Sequence, residues 1–166
     1  MSNLPVLALD LSSKTGWALL DRNGRILSGV QEFSLTRGES KGMRFLRFRK
    51  WLKDILILGE LGVQFSKEQP GLVIWEQAHH RGSFATELCV GLVTDVMAEA
   101  ALYELEHMSV HSATLKKFAT GKGKAGKDEM VLKAKEFYPS VEILDDNHAD
   151  ALLILRYGLT ELGLAV

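Results

Sequence analysis

Three acidic residues of this 166-residue chain lie where an apolar run ends or a helix begins. Asp10 closes VLALD, Glu76 closes LVIWE, and Asp150 lies inside NHADALLILRYG. A carboxylate at the C-terminal end of an apolar strand sits on the rim of a sheet, where ligands of α/β folds collect. Carboxylates brought together there repel one another unless a cation lies between them. A set of oxygen ligands suits a hard divalent ion, above all Mg2+, without cysteine or a histidine-rich shell. Two such ions about 4 Å apart can hold a scissile phosphate and activate water for in-line attack. Each acid taken alone has a plainer reading, as a helix cap or a solvated strand end. That reading is weaker for Asp150. With Asp146 four residues before it on one helix, both carboxylates point to the same face and repel.

The basic residues are segregated from these acids. Arg37, Lys41, Arg44, Arg47, Arg49, Lys50 and Lys53 form one stretch, opposed only by Glu39. Lys116, Lys117, Lys122, Lys124 and Lys127 form a second, with no acid among them. Residues 136–166 carry six acids against Arg156 alone. The net charge of −1 is therefore a cancellation, not a sign that no polyanion binds. In GKGKAGK (121–127) glycine backbone can approach a phosphate closely while lysines neutralise it, without reading bases. The alternative is a flexible surface turn, and for Arg44, Arg47 and Lys50 it is a solvated helix face. The loop is not a nucleotide-binding Walker loop, because Asp128 follows Gly126-Lys127 where Ser or Thr is required.

The elements that must position these groups follow from periodicity and turn residues. Strands are predicted over 6–10, 15–21 and 25–33, with Asn23-Gly24 as a hairpin turn. After a loop at 36–42, Leu46, Phe48, Trp51, Leu52, Ile55 and Leu58 recur near a helical period. Pro70-Gly71 closes the next connection, and 72–76 reads as a strand buried on both faces. Residues 82–106 read as a long, well-buried helix, 108–112 as a short strand and ATLKKFA as a short helix. Another helix covers 128–137 and ends at Pro139. The last runs from Asp146 to about Leu162, with Asp145, Asp146 and Asn147 as candidate N-caps. A meander followed by alternating helices and strands implies a mixed sheet with helices on both faces.

Composition sets the outer limits. At 46% hydrophobic and 25% charged, the chain reads as one globular domain over 1–166. One cysteine, Cys89, excludes an intrachain disulfide framework and a multi-cysteine zinc site. MSNLPVLALDLSS lacks the basic start and long apolar run of a signal peptide, and no apolar stretch suits a membrane span. The expected location is the cytoplasm, with no membrane partner.

Four blocks in order then resemble a known family. LALDLSSKTGWALL, LVIWEQ, TLKKFATGKGKAGKDEMV and DDNHADALLIL resemble RuvC-type Holliday-junction resolvases of the ribonuclease H-like superfamily, on the phage or prophage branch. The resemblance covers nearly the whole chain, and its specificity lies in the order of the blocks. It implies a ribonuclease H-like α/β fold, with a mixed five-stranded sheet (antiparallel meander, then parallel strands) and helices on both faces. It implies a Mg2+-dependent (or Mn2+-dependent) endonuclease with two ions per site that nicks four-way DNA junctions in pairs as a homodimer, in bacterial cytoplasm and encoded by a bacterium or a phage. Asp10, Glu76 and Asp150 would be metal ligands, and Lys116 and Lys127 would contact DNA near the scissile phosphate. Asn147 occupies the position where the family places an acid or histidine. Asp146 is the expected fourth ligand, and Asn147 and His148 are accessory candidates. Ser12 replaces a glycine common in the family.

Other candidates have two readings each. His79 and His80 follow Glu76 and either assist the site or line an exposed loop. Phe84 either stacks on a separated base, as the family allows, or packs in the core. Lys14 either meets a phosphate or is a turn lysine. Cys89 reads as a small buried hydrophobe. Trp17, Trp51 and Trp75 read as core or interface anchors. Competing functions are a relaxed nuclease of forks and flaps, a non-catalytic junction-binding module, and a sugar-kinase or actin-like ATPase. The last rests on LDLSSKTGWALL, and the chain is short for its two lobes.

Overall fold

The protein is described by a computed structural model over residues 4–65, 67, 69–77 and 82–164. Five strands form one mixed sheet: β1 (Val6–Asp10), β2 (Lys14–Leu20), β3 (Ile26–Glu32), β4 (Leu72–Glu76) and β5 (Glu106–Val110), in the order β3-β2-β1-β4-β5. The meander β1-β2-β3 is antiparallel, and β4 and β5 run parallel to β1. Helices α1 (Gly42–Leu58), α2 (Ser83–Leu102), α3 (Ser112–Thr120), α4 (Lys127–Phe137) and α5 (Asp146–Glu161) accompany the sheet, with a short 3-10 turn at Val63–Phe65. No helix among the described residues is long and apolar enough to cross a membrane.

Strand alternation explains why β1 and β4 are apolar without a polar face. Val6, Ala8, Leu72 and Ile74 pack with α5 residues Leu152, Leu153 and Leu155 in one cluster. Leu7, Leu9, Val73 and Trp75 face the opposite way, onto Phe48 and Leu52 of α1 and Leu92 and Val96 of α2. Each fully buried leucine contributes about 1.5–3 kcal/mol, so the two clusters fix which side of the sheet each helix covers. By the same alternation Asp10 follows Val6 and Ala8, and Glu76 follows Leu72 and Ile74. Both therefore point to the α5 side of the sheet.

The helix expected over 82–106 stops at Leu102 instead. Glu104 turns left-handed at φ 54°, and Leu105 donates its N–H to the Ala100 carbonyl at 2.8 Å. This returns buried Leu105 to the core and starts β5 at Glu106. Only one face of α2 is buried. Val90 and Met97 are exposed on the other.

Candidate active site

The central strands deliver the first two acids to the same rim. β1 and β4 pair in parallel up to Leu9–Trp75, so Asp10 and Glu76 follow on neighbouring strands. A tight turn then reverses the chain into β2. The Ser12 hydroxyl accepts from the Lys14 N–H at 3.2 Å and donates to its carbonyl at 2.8 Å, while the Thr15 hydroxyl donates to the Ser12 carbonyl at 2.8 Å. The only positive φ angles among described non-glycine residues are at Glu60 and Glu104. Ser12 therefore makes the turn with an ordinary backbone, and no glycine is needed there.

The N-terminus of α5 supplies the other two acids. Of the three candidate caps, Asp145 is the one used: its carboxylate accepts from the His148 N–H at 2.9 Å. That places Asp146 and Asp150 on successive turns of one face. Gly16, paired with Asp10 across β1 and β2, lets this helix end approach the sheet. A Cβ at Gly16 would lie 1.9 Å from the Asn147 carbonyl oxygen. On the buried side, His148 Nδ1 accepts from the Leu144 N–H at 3.1 Å, so Nε2 carries the proton and donates to the Ser28 hydroxyl at 2.9 Å. Burial holds His148 below its usual pKa and therefore neutral. Both ring nitrogens are thus engaged, and His148, which does not line the cleft, ties the start of α5 to β3. Gly16 and Ser28 are the residues that sequence reasoning missed.

One open cleft of about 300 Å³ brings the predicted acids together. Asp10, Glu76, Asp146 and Asp150 line it with Asn147, Lys116 and Lys127. Cys89 also lines it, half-buried, with its thiol 3.7 Å from the Leu11 carbonyl oxygen. The acids are electrostatically in conflict. Burial, reinforced by the charges of Glu76 and Asp146, pushes the Asp150 carboxyl up to about 7. Asp146 shifts the other way, because the Lys127 ammonium binds its carboxylate and holds it below the usual range. Among the described residues no three Asp, Glu, His or Cys side chains are already drawn in to ion-holding geometry. By type the donors suit a hard divalent ion, since the four carboxylates lining this cleft offer only oxygen.

Other predicted residues lie elsewhere or are otherwise engaged. Lys14 binds Asp145 at 2.6 Å, tying the β1–β2 turn to the start of α5. Burial raises Asp145, but the Lys14 hydrogen bond and the His148 N–H outweigh it and leave this carboxyl below its usual value. Glu129 accepts from the Gly126 N–H at 3.0 Å and from Lys122 at 3.2 Å, which shapes the lysine loop. Lys117 and Lys124 are exposed. Arg44 donates to the Phe33 carbonyl at 2.8 Å. Arg47 donates to the Ser34 carbonyl at 2.9 Å and clasps Glu39, which it holds down to about 2. Both guanidinium groups are thus used to fasten the chain between β3 and α1. Phe84 is exposed at the start of α2, with the Lys41 ammonium 5.1 Å from its ring centre. His79 and His80 lie outside the described residues.

No family model and no curated protein matches this sequence. Solved structures do match in three dimensions. The chain superposes on Thermus thermophilus RuvC with a TM-score of 0.73 at 18% identity, over 98% of both chains. It superposes on T. thermophilus RuvC in complex with a Holliday junction substrate with a TM-score of 0.72 at 18% identity, over 92% of this chain and 90% of that one. For the yeast mitochondrial Holliday junction resolvase Ydc2 the TM-score is 0.58 at 16% identity, over 92% and 76%. The chain has the RuvC-type, ribonuclease H-like fold.

Proposed function

We propose that this protein is a divalent-metal-dependent endonuclease that resolves four-way DNA junctions. The observation that carries the proposal is the convergence of four carboxylates and two lysines in one cleft at the end of the central strands. The RuvC-type fold supports it, with one matching structure holding a Holliday junction.

Asp10, Glu76, Asp146 and Asp150 are the proposed ligands of two Mg2+ or Mn2+ ions. When bound, such ions polarise a phosphodiester and lower the pKa of water. The chain's own groups do the rest. Lys116 and Lys127 neutralise phosphate oxygens, and the exposed lysines of the 121–126 loop and of α3 extend that attraction along the backbone. These contacts position DNA without reading its sequence. The α5 N-cap and Lys14 hold the helix-borne acids against the strand-borne pair. Hydrolysis adds water oxygen to phosphorus and breaks the bond to the 3′ oxygen, leaving 5′-phosphate and 3′-hydroxyl ends. Paired nicks need two such sites, so the active form is proposed to be a homodimer.

The test is cleavage of a labelled mobile four-way junction with and without Mg2+. We expect symmetric nicks only with metal, and none from Asp10→Asn. A folded Asp10→Asn protein with full Mg2+-dependent cleavage would reject the mechanism. Equal cutting of fork, flap and junction would leave a nuclease but reject junction selectivity.

A further inference from the structure

We propose that Lys127 is a built-in counter-cation that a divalent ion must displace, so that metal loading hands this lysine over to DNA. The inference rests on the reading of the cleft as a metal-dependent nuclease site and adds an order of events to it. Lys127 opens α4, and its ammonium is bound to the Asp146 carboxylate. Its side chain is 80% exposed, whereas that of Asp146 is 33% exposed. Both residues line the cleft, and the lysine does so with most of its side chain in solvent.

Asp146 cannot serve two cations equally. A carboxylate oxygen that takes an ammonium hydrogen bond is a poorer ligand for an ion approaching from the cleft. A divalent ion adds two positive charges beside Lys127, so lost attraction and new repulsion drive the lysine the same way. The long, exposed side chain can swing out without repacking the core.

Lys116 is the internal control. It lines the same cleft from α3 and carries the same charge, but it makes no ion pair among the described residues. Its charge is felt at Asp150, as is that of Lys127. Any effect of cleft charge alone must therefore appear in both lysines, and an effect of displacement in one. Because linkage is reciprocal, a metal that frees Lys127 for phosphate raises DNA affinity, and DNA raises metal affinity by the same factor.

The experiment titrates Mn2+ into the DNA-free, full-length protein, by calorimetry or Mn2+ spin resonance, for wild type, Lys127→Met, Lys127→Arg and Lys116→Met. Losing an exposed ion pair predicts about two- to fivefold tighter Mn2+ binding for Lys127→Met. Lys127→Arg keeps the pair and stays near wild type, and Lys116→Met gains less than Lys127→Met. In EDTA, Lys127→Met weakens binding of a four-way junction by less than Lys116→Met does. Equal tightening by the two methionine variants, weaker Mn2+ binding by Lys127→Met, or an equal loss of junction binding in EDTA would each overturn the proposal. Failure of wild type to bind Mn2+ at all would instead overturn the metal-site reading beneath it.

Discussion

Replacing Gly16 by alanine tests whether the strand-borne and helix-borne acids work as one set. The added Cβ would lie 1.9 Å from the Asn147 carbonyl oxygen, 2.4 Å from its carbon and 3.0 Å from the His148 nitrogen. All three are backbone atoms, so no change of rotamer relieves the contact. Reaching even 3.0 Å requires β2 or the start of α5 to move by about 1 Å. The strand is held on both edges by β1 and β3, and α5 is held by the Asp145 cap and by His148 on Ser28. The displacement therefore falls between Asp10, opposite Gly16, and Asp146 and Asp150 on the helix.

Forcing one carbon into a packed contact costs about 1–3 kcal/mol. Domains have about 5–15 kcal/mol in hand, so the variant remains folded at 25 °C. At this chain length the loss lowers Tm by roughly 2–4 °C per kcal/mol. Catalytic geometry is less forgiving: a 1 Å misplacement can cost about 100-fold in rate. Circular dichroism melts and initial rates of four-way-junction cleavage in Mg2+ measure the two effects separately. We expect a modest drop in Tm and about 100-fold slower cleavage at a temperature where the variant is fully folded. Wild-type cleavage by a folded Gly16→Ala protein would refute the reasoning, because the acids would then tolerate the shift.

Two further outcomes follow from the buried charges. Asp150, pushed up to about 7 by burial and by Glu76 and Asp146, titrates near 3.9 when unfolded. The native state binds the extra proton between these values, so stability falls as pH rises from about 4 to about 7 and is level above. Asp150→Asn should therefore stabilise the metal-free protein by on the order of 2–4 kcal/mol at pH 8 and little near pH 4, as urea melts at the two pH values will show. His148 carries the opposite sign. Its pKa is lowered by burial, so its contribution is complete above the unfolded value near 6.5 and declines as pH falls below it. His148→Ala should cost about 2–4 kcal/mol at pH 7, by lost packing and by unpaired Ser28 and Leu144 groups, and should flatten the decline between pH 6.5 and 5.

Much of this site can be read from sequence because its acids lie where periodicity breaks. VLALD and LVIWE are strands buried on both faces, and a carboxylate after either must emerge at the rim. The shared helix face of Asp146 and Asp150 is readable from their spacing. What escapes is whatever depends on how distant elements cross. Gly16 looks like any small residue of a strand, and its need for no Cβ arises only from α5, some 130 positions later. Ser28 is a hydroxyl on a half-exposed strand until His148 reaches it. The end of α2 is hidden for a different reason. ALYELE contains no glycine or proline, and the stop is set by burial of Leu105 and by the parallel pairing of β5 with β4. Charge counting also has a limit: it finds Arg44 and Arg47 but not the Phe33, Ser34 and Glu39 groups that engage them.

The acids themselves show how a closed fold is kept around a cleft of like charges. Four carboxylates in one cleft would cost stability if all were bare and charged. Two of them avoid that condition by different means: Asp150 takes a proton near neutral pH, and Asp146 takes the Lys127 ammonium. Each device brings one positive charge, and each is removable, the proton to solvent and the lysine by a swing of an exposed side chain. In the proposed metal site, a divalent ion would bring two charges to these oxygens and make both devices unnecessary. Neither device is a packing interaction, so the cleft can exchange one set of cations for another while the two apolar clusters on either side of the sheet stay as they are.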